Sequence, residues 1–162
     1  MFRISFEPKY RTMSKFTKRQ FLSYISSIWD PLGLISPIII LCKVLFQRLW
    51  LVNIGWDQQL PNDIHEKWMG ILHELPQISR ITIPRFISLS DTECIELIGF
   101  ADASQCAYGA CVYIRAGSSS KVIVNLLTAK SKVSPLKIIS IPRLELCAAL
   151  LLARLASNVS RN

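Results

Sequence analysis

The chain has 162 residues, 51% of them hydrophobic, with 19 Lys and Arg against 11 Asp and Glu and a formal charge of +8. This composition excludes general disorder, and the length admits one domain or two small ones. The basic surplus suits a polyanionic partner, nucleic acid above all, or is solubility charge alone. Five cysteines, at 42, 94, 106, 111 and 147, include no C-x-x-C pair and stand remote from His65 and His73. That argues against a zinc site or a disulfide framework and fits a reducing compartment.

The elements follow in chain order. "FRISFE" alternates apolar and polar residues and predicts a short strand. The same N-terminal stretch has no apolar core of the kind a signal peptide needs. Thr17 then predicts a helix N-cap, with Phe21, Leu22, Ile25 and Ile28 at helical spacing behind it. "DPLGLISP" breaks that helix, and Ser36 with Pro37 opens a second one. The most apolar stretch, Leu32 to Phe46, is interrupted by Pro37 and Lys43 and is too short to span a bilayer. A third helix is capped by Asn62 or Asp63 and carries Ile64, Trp68, Ile71, Leu72 and Leu75 on one face. His65-Glu66 and His73-Glu74 each lack the second histidine of a metalloprotease helix. "ISRITIPRFISL" reads as extended.

Beyond residue 90 the pattern changes to three strands and a helix. "ECIELIGFADAS", "AYGACVYIRA" and "KVIVNLLTAKSKV" read as an antiparallel meander, with "GSSS" as a turn. A helix starts near Ser140, with Pro142 in its first turn. The period of two sets Ile98, Phe100 and Asp102 on one face, so Asp102 is expected to continue a row of buried side chains. "LELCAALLLARL" is apolar almost all round, so its helix is expected to be buried on most of its surface, Glu145 included. Lone buried carboxylates are costly. A shared Mg²⁺ would remove that cost, and two such carboxylates suit metal-assisted cleavage of a phosphodiester. The alternative is structural: Asp102 caps the turn that follows, and Glu145 pairs with Arg143 or Lys137.

"GFADAS", "AYGACVYIR", "VNLLTAKSKVSPLK" and "SIPRLELCAALLLARL", in that order, resemble the start of the ribonuclease H region in the Pol polyprotein of BEL/Pao LTR retrotransposons. "TKRQFLSYISSIWDPLGLISPIIILCKVLFQRLW" with "WDQQLP" resembles the segment just upstream. This region also goes by the name Pao retrotransposon peptidase. The resemblance implies an α/β chain in two parts. Residues 1–88 would be a helical thumb/connection-like segment of reverse transcriptase. Residues 89–162 would be the N-terminal half of a ribonuclease H-like domain, three strands and one buried helix. It implies Asp102 and Glu145 as catalytic acids holding Mg²⁺, an RNA–DNA hybrid as substrate, and the rest of Pol as partner. Lys15, Lys18 and Arg19 are candidates for phosphate contact, or else form a solvated helix end. The resemblance also places the protein inside the cell, in the cytoplasm or a virus-like particle, with no membrane association.

One departure tempers the catalytic expectation. The family's enzyme needs further acids, and no Asp or Glu follows Glu145. The chain is therefore expected to be a truncated piece, inactive alone, and the alternative is a nucleic-acid-binding remnant without chemistry. Aspartic peptidase activity is not expected, because "DTE" at Asp91 lacks the glycine of D-S/T-G.

Overall fold

Thr17 caps the first helix, α1 (Lys18–Ser27), as its sequence predicts. Its hydroxyl accepts from the Gln20 backbone N–H, and the Gln20 side chain accepts in return from the Thr17 N–H. The computed structural model describes residues 2–3, 15–83, 94–117 and 122–161. Strand β1 is Phe2–Arg3, and the rest of "FRISFE" lies outside the described residues, as do the "SSS" of the turn and Asp91. Helix α2 is Ser36–Leu51, and α3 is Asn62–Glu74. The cap of α3 differs from expectation. Pro61 occupies it, and the Pro61 carbonyl accepts from the Ile64 and His65 N–H groups. A 3-10 helix at Leu75–Arg80 replaces the first part of the expected extended run, and β2 (Thr82–Ile83) pairs antiparallel with β1.

Two compact units result. One comprises Met1–Trp29 with Leu41–Phe86, the other Asp30–Ile40 with Ile87–Asn162. The first is built on aromatic packing. Trp68 is fully buried (0% exposed), with Phe21 at 4.3 Å, Tyr24 at 5.4 Å and Phe16 at 6.1 Å between ring centroids. From α2, Phe46 meets Phe21 edge to face, and Cys42, Leu45 and Leu49 are buried at helical spacing. Backbone bonds from Leu60 to Phe16 and from Arg19 to Trp56 tie the loop before α3 to the start of α1.

The second unit is a meander of β3 (Cys94–Ala103), β4 (Ala107–Gly117) and β5 (Val122–Val133), in that spatial order, with α4 (Ile141–Ser160) against β3 and β4. The mixed α/β class and the antiparallel meander are as the sequence predicts. Cross-strand register fixes the two faces of the sheet. Phe100 pairs with Cys111 and Glu96 with Arg115 on one face, and Gly99 pairs with Val112 on the other. Ala110, Val112 and Ala116 are buried, which marks theirs as the face under α4. Between β4 and β5 the register slips at Val112/Tyr113, where Leu127 is the extra residue of a bulge.

A strap from Asp30 to Ser36 docks on β5. The Leu32 carbonyl accepts from the Ala129 N–H at 2.8 Å and from the Thr128 hydroxyl at 3.0 Å, and the Ser36 carbonyl accepts from the Ser131 hydroxyl at 3.4 Å. The Asp30 carboxylate accepts from the Leu34 and Ile35 N–H groups at 2.8 and 2.9 Å, which closes the turn. Gly33 sits at φ +72°, in the left-handed region where a side chain is strained.

Burial sorts the cysteines. Cys42 is enclosed, and desolvation of its thiolate pushes the thiol up to about 11. An unfolded thiol ionises near 9, so this contribution to stability is complete below that pH and is lost as pH rises toward the folded value. Alkylation of the folded chain is expected to modify the exposed Cys94 and Cys106 first and Cys42 only on unfolding. Peptide mass spectrometry along a urea series checks this, and early labelling of Cys42 would contradict it.

Candidate functional site

Asp102 is the last residue but one of β3, opposite Gly109. With no side chain across from it, its carboxylate stands clear of β4. It is exposed, and its Oδ1 accepts from the adjacent Ala103 N–H at 2.7 Å. The expected row of buried side chains does not form. Phe100, on the same face, is 59% exposed and meets Tyr113 edge to face at 6.0 Å. The reason is β3's position: it is the edge of the described sheet, and α4 covers only the opposite face. The turn after Asp102 is organised by Ser104 instead. The Ser104 hydroxyl accepts from the Cys106 and Ala107 N–H groups, and its N–H donates to the Ala107 carbonyl. The capping role weighed for Asp102 therefore falls to Ser104.

Glu145 lies in the second turn of α4 and is exposed. The helix does not bury most of its surface, as expected from composition, but one stripe. Leu144, Ala148 and Leu151 are enclosed, while Leu146 and Leu150 lie largely in the open. Ser140 holds the N-cap position without a side-chain cap bond. Neither Arg143 nor Lys137 pairs with Glu145. Among the described residues the ion pairs are Arg19–Asp57 and Arg115–Glu96.

The direction of α4 follows from chain reach. After β5, the Ser134 N–H donates to the Cys106 carbonyl and its hydroxyl to the Ser104 carbonyl, so the chain leaves the sheet at the β3–β4 turn. Ile141 is seven residues further on, a span of at most ~25 Å. Leu152 lies over Gly99, so close that a β-carbon there would sit 2.6 Å from Leu152 Cδ1. Ile141 is ~16 Å from that point along the helix axis. Were α4 parallel to β3, Ile141 would fall more than ~30 Å from the turn, beyond reach. The helix therefore runs antiparallel to β3. Glu145, seven residues before Leu152, lies level with Asp102, three residues beyond Gly99, each displaced ~10 Å.

The fold thus brings the two predicted acids to one end of the sheet unit. They reach it by different routes. Strand alternation directs Asp102 to the face of Ile98 and Phe100, whereas Glu145 comes from the helix on the other face. Among the described residues no three His, Cys, Asp or Glu are grouped closely enough to hold a metal ion.

The predicted basic residues fare differently. Lys15 is exposed. Arg19 is engaged by Asp57, with Nε and Nη2 donating to the two carboxylate oxygens at 2.8 and 3.0 Å. That contact holds the Asp57 carboxyl below its ordinary range. Lys18 is only 4% exposed, and its ammonium lies 3.9 Å from the Trp50 ring centroid and 5.2 Å from that of Trp56. Placed so, Lys18 is not presented to a phosphate. Its position in the first turn of a capped helix gave no sign of this, since both indoles arrive from α2 and the following loop.

A three-stranded meander backed by one antiparallel helix, with an acid on the first strand and another early in the helix, is the arrangement of an RNase H-like half-domain. The family model described as Pao retrotransposon-like RNaseH-like domain matches residues 17–162, and the chain belongs to that family. Comparisons with curated proteins and with solved structures gave no match. Among the described residues, no helix is long and apolar enough to cross a membrane.

Proposed function

We propose that this chain is the N-terminal part of a retrotransposon Pol ribonuclease H module that acts on RNA–DNA hybrids during reverse transcription. In this reading the upstream helical unit is thumb/connection-like, and the rest of Pol completes the module in the cytoplasm. Family membership over residues 17–162 is the observation that carries it.

Asp102 and Glu145 are the acids assigned to Mg²⁺. Both are hard oxygen donors, both are exposed, and both lie at the same end of the sheet unit, so they suit a cation that keeps several waters. Bound there, the cation would polarise the phosphodiester and supply a nucleophilic water. The chain's own part is to hold two carboxylates on rigid elements, one at a strand end and one in a helix. Two acids do not make a closed site, and no further acid follows Glu145. The 162 residues alone therefore bind the ion weakly and do not cleave.

Paramagnetic Mn²⁺, used in place of Mg²⁺, tests this. Amide resonances of Ala103, Ser104 and Glu145 are expected to broaden first, and Asp102→Asn is expected to abolish the effect. Hybrid cleavage is expected from neither form. Broadening that ignores Asp102 would remove the metal assignment, and cleavage by the unmodified chain would overturn its inactivity. Hybrid binding that is steep in salt but indifferent to divalent ions and to Asp102 would favour a binding remnant without chemistry.

A further inference from the structure

We infer that the groove between α4 and β5 is a track for a nucleic-acid phosphate backbone, on the opposite flank of α4 from Glu145. Its occupant, an RNA–DNA hybrid, rests on the proposed function, and neither Asp102 nor a metal is needed to hold it. The helix packs on β3 and β4 and leaves β5 beside it. Its two flanks differ in charge. Each residue turns an α-helix by about 100°. Leu144, Ala148 and Leu151 face the sheet, and Leu152, about 80° round from Leu144, lies over Gly99 of β3. Glu145, about 100° round in the same sense, is on that β3 side. Arg143 and Arg154 are turned about 100° and 80° the other way, so they line the flank toward β5.

Strand β5 presents cations to the same groove. Lys130 is opposite Ala110, which is buried beneath α4, so Lys130 stands on the helix side of the sheet. Lys132, two residues on, shares that face. With α4 antiparallel to β3, Arg143 is level with Lys132, and Lys130 falls between Arg143 and Arg154 along the axis. All four are exposed, and among the described residues none is in an ion pair. Glu145 is the one acid in β4, β5 and α4 together, and it is on the far flank. Asp30, in the strap on β5, has its carboxylate committed to Leu34 and Ile35.

Spacing selects the occupant. The four cations extend over ~16 Å of groove, too far for one small anion to bridge. One strand of a duplex carries a phosphate every ~3.4 Å of axis, so about five pass along that length. Half-buried Asn125 and Thr128 continue the β5 floor beside the lysines. That floor is polar and lacks the aromatic anchors on which protein partners centre.

The test uses the whole chain and a fluorescein-labelled RNA–DNA hybrid, titrated at several salt concentrations. Lys130→Gln with Lys132→Gln is expected to weaken binding about tenfold at low salt. The slope of log affinity on log salt should fall by about 2. Arg143→Gln is expected to lower the slope by about 1, and Asp102→Asn to leave it unchanged. Lys43→Gln with Lys67→Gln removes the same charge from exposed positions of the helical unit and is expected to leave the slope in place. Acetylation of the unmodified chain, read by peptide mass spectrometry, needs no variant. Bound hybrid is expected to shield Lys130 and Lys132. Hybrid binding that the Lys130, Lys132 pair does not move would overturn the groove and leave the proposed function standing. Failure of the unmodified chain to bind hybrid would overturn both. An equal loss from the Lys43, Lys67 pair would overturn the groove, because net charge alone would then account for binding. Polyglutamate bound as tightly as hybrid would overturn the phosphate backbone as its occupant.

Discussion

Replacing Gly33 with alanine is expected to detach the strap from β5 and lower stability by about 4 kcal/mol. The β-carbon would meet the Ala129 carbonyl oxygen at 1.8 Å and the Ala129 carbonyl carbon at 2.6 Å, and both are backbone atoms with nowhere to go. The residue is also at φ +72°, which costs an L side chain about 1–2 kcal/mol before any collision. Backing the turn away breaks the bonds from Ala129, Thr128 and Ser131, each contributing about 1 kcal/mol. Hydrogen exchange at the Ala129 amide reads this directly, because that N–H now donates to Leu32. Protection there should fall with the melting temperature. A variant that keeps both would show that the strap is not held as described.

The second large effect is at Trp68. Trp68→Ala is expected to cost about 3–5 kcal/mol, the range for truncating a buried aromatic. Nothing nearby collapses readily into the void, since Phe16, Phe21 and Tyr24 are themselves rings held from other segments. Trp68→Phe should cost far less than its lost volume implies. Among the described residues the indole N–H has no hydrogen-bond partner, so phenylalanine removes an unsatisfied buried donor together with the bulk. Urea unfolding followed by near-ultraviolet circular dichroism distinguishes the two. Equal losses for both variants would mean that the N–H is satisfied.

Where the sequence was legible, the controlling interaction was local. Thr17 and Gln20 cap each other across three residues, and alternation along "CIELIGFADA" locates a strand that the structure starts at Cys94. Where it was not, the deciding partner came from far along the chain or belonged to the backbone. Pro61 displaced Asn62 and Asp63 as the cap of α3 because a carbonyl, not a side chain, met the helix. Lys18 reads as a surface cation until two indoles close over it. The apolar run around Glu145 overstated burial because one stripe of α4 is enough to cover β3 and β4. Asp102 reads as buried only if its strand has neighbours on both sides. The identity of the two acids was legible from motif likeness, and their common end of the sheet was not, because it depends on where the chain leaves β5. "DPLGLISP" was read as a helix breaker, and its glycine was the one signal that the backbone there approaches something closely.

The strap also sets an order of events in time. Leu32 waits for Thr128, 96 residues later, and closing a loop of that length costs on the order of 4 kcal/mol in chain entropy. On a ribosome adding ~5–20 residues each second, the glycine turn emerges on the order of ten seconds before the strand that receives it. Through that interval Asp30 can close the turn locally, since its partners Leu34 and Ile35 are already made, so the strap reaches β5 as a preformed element.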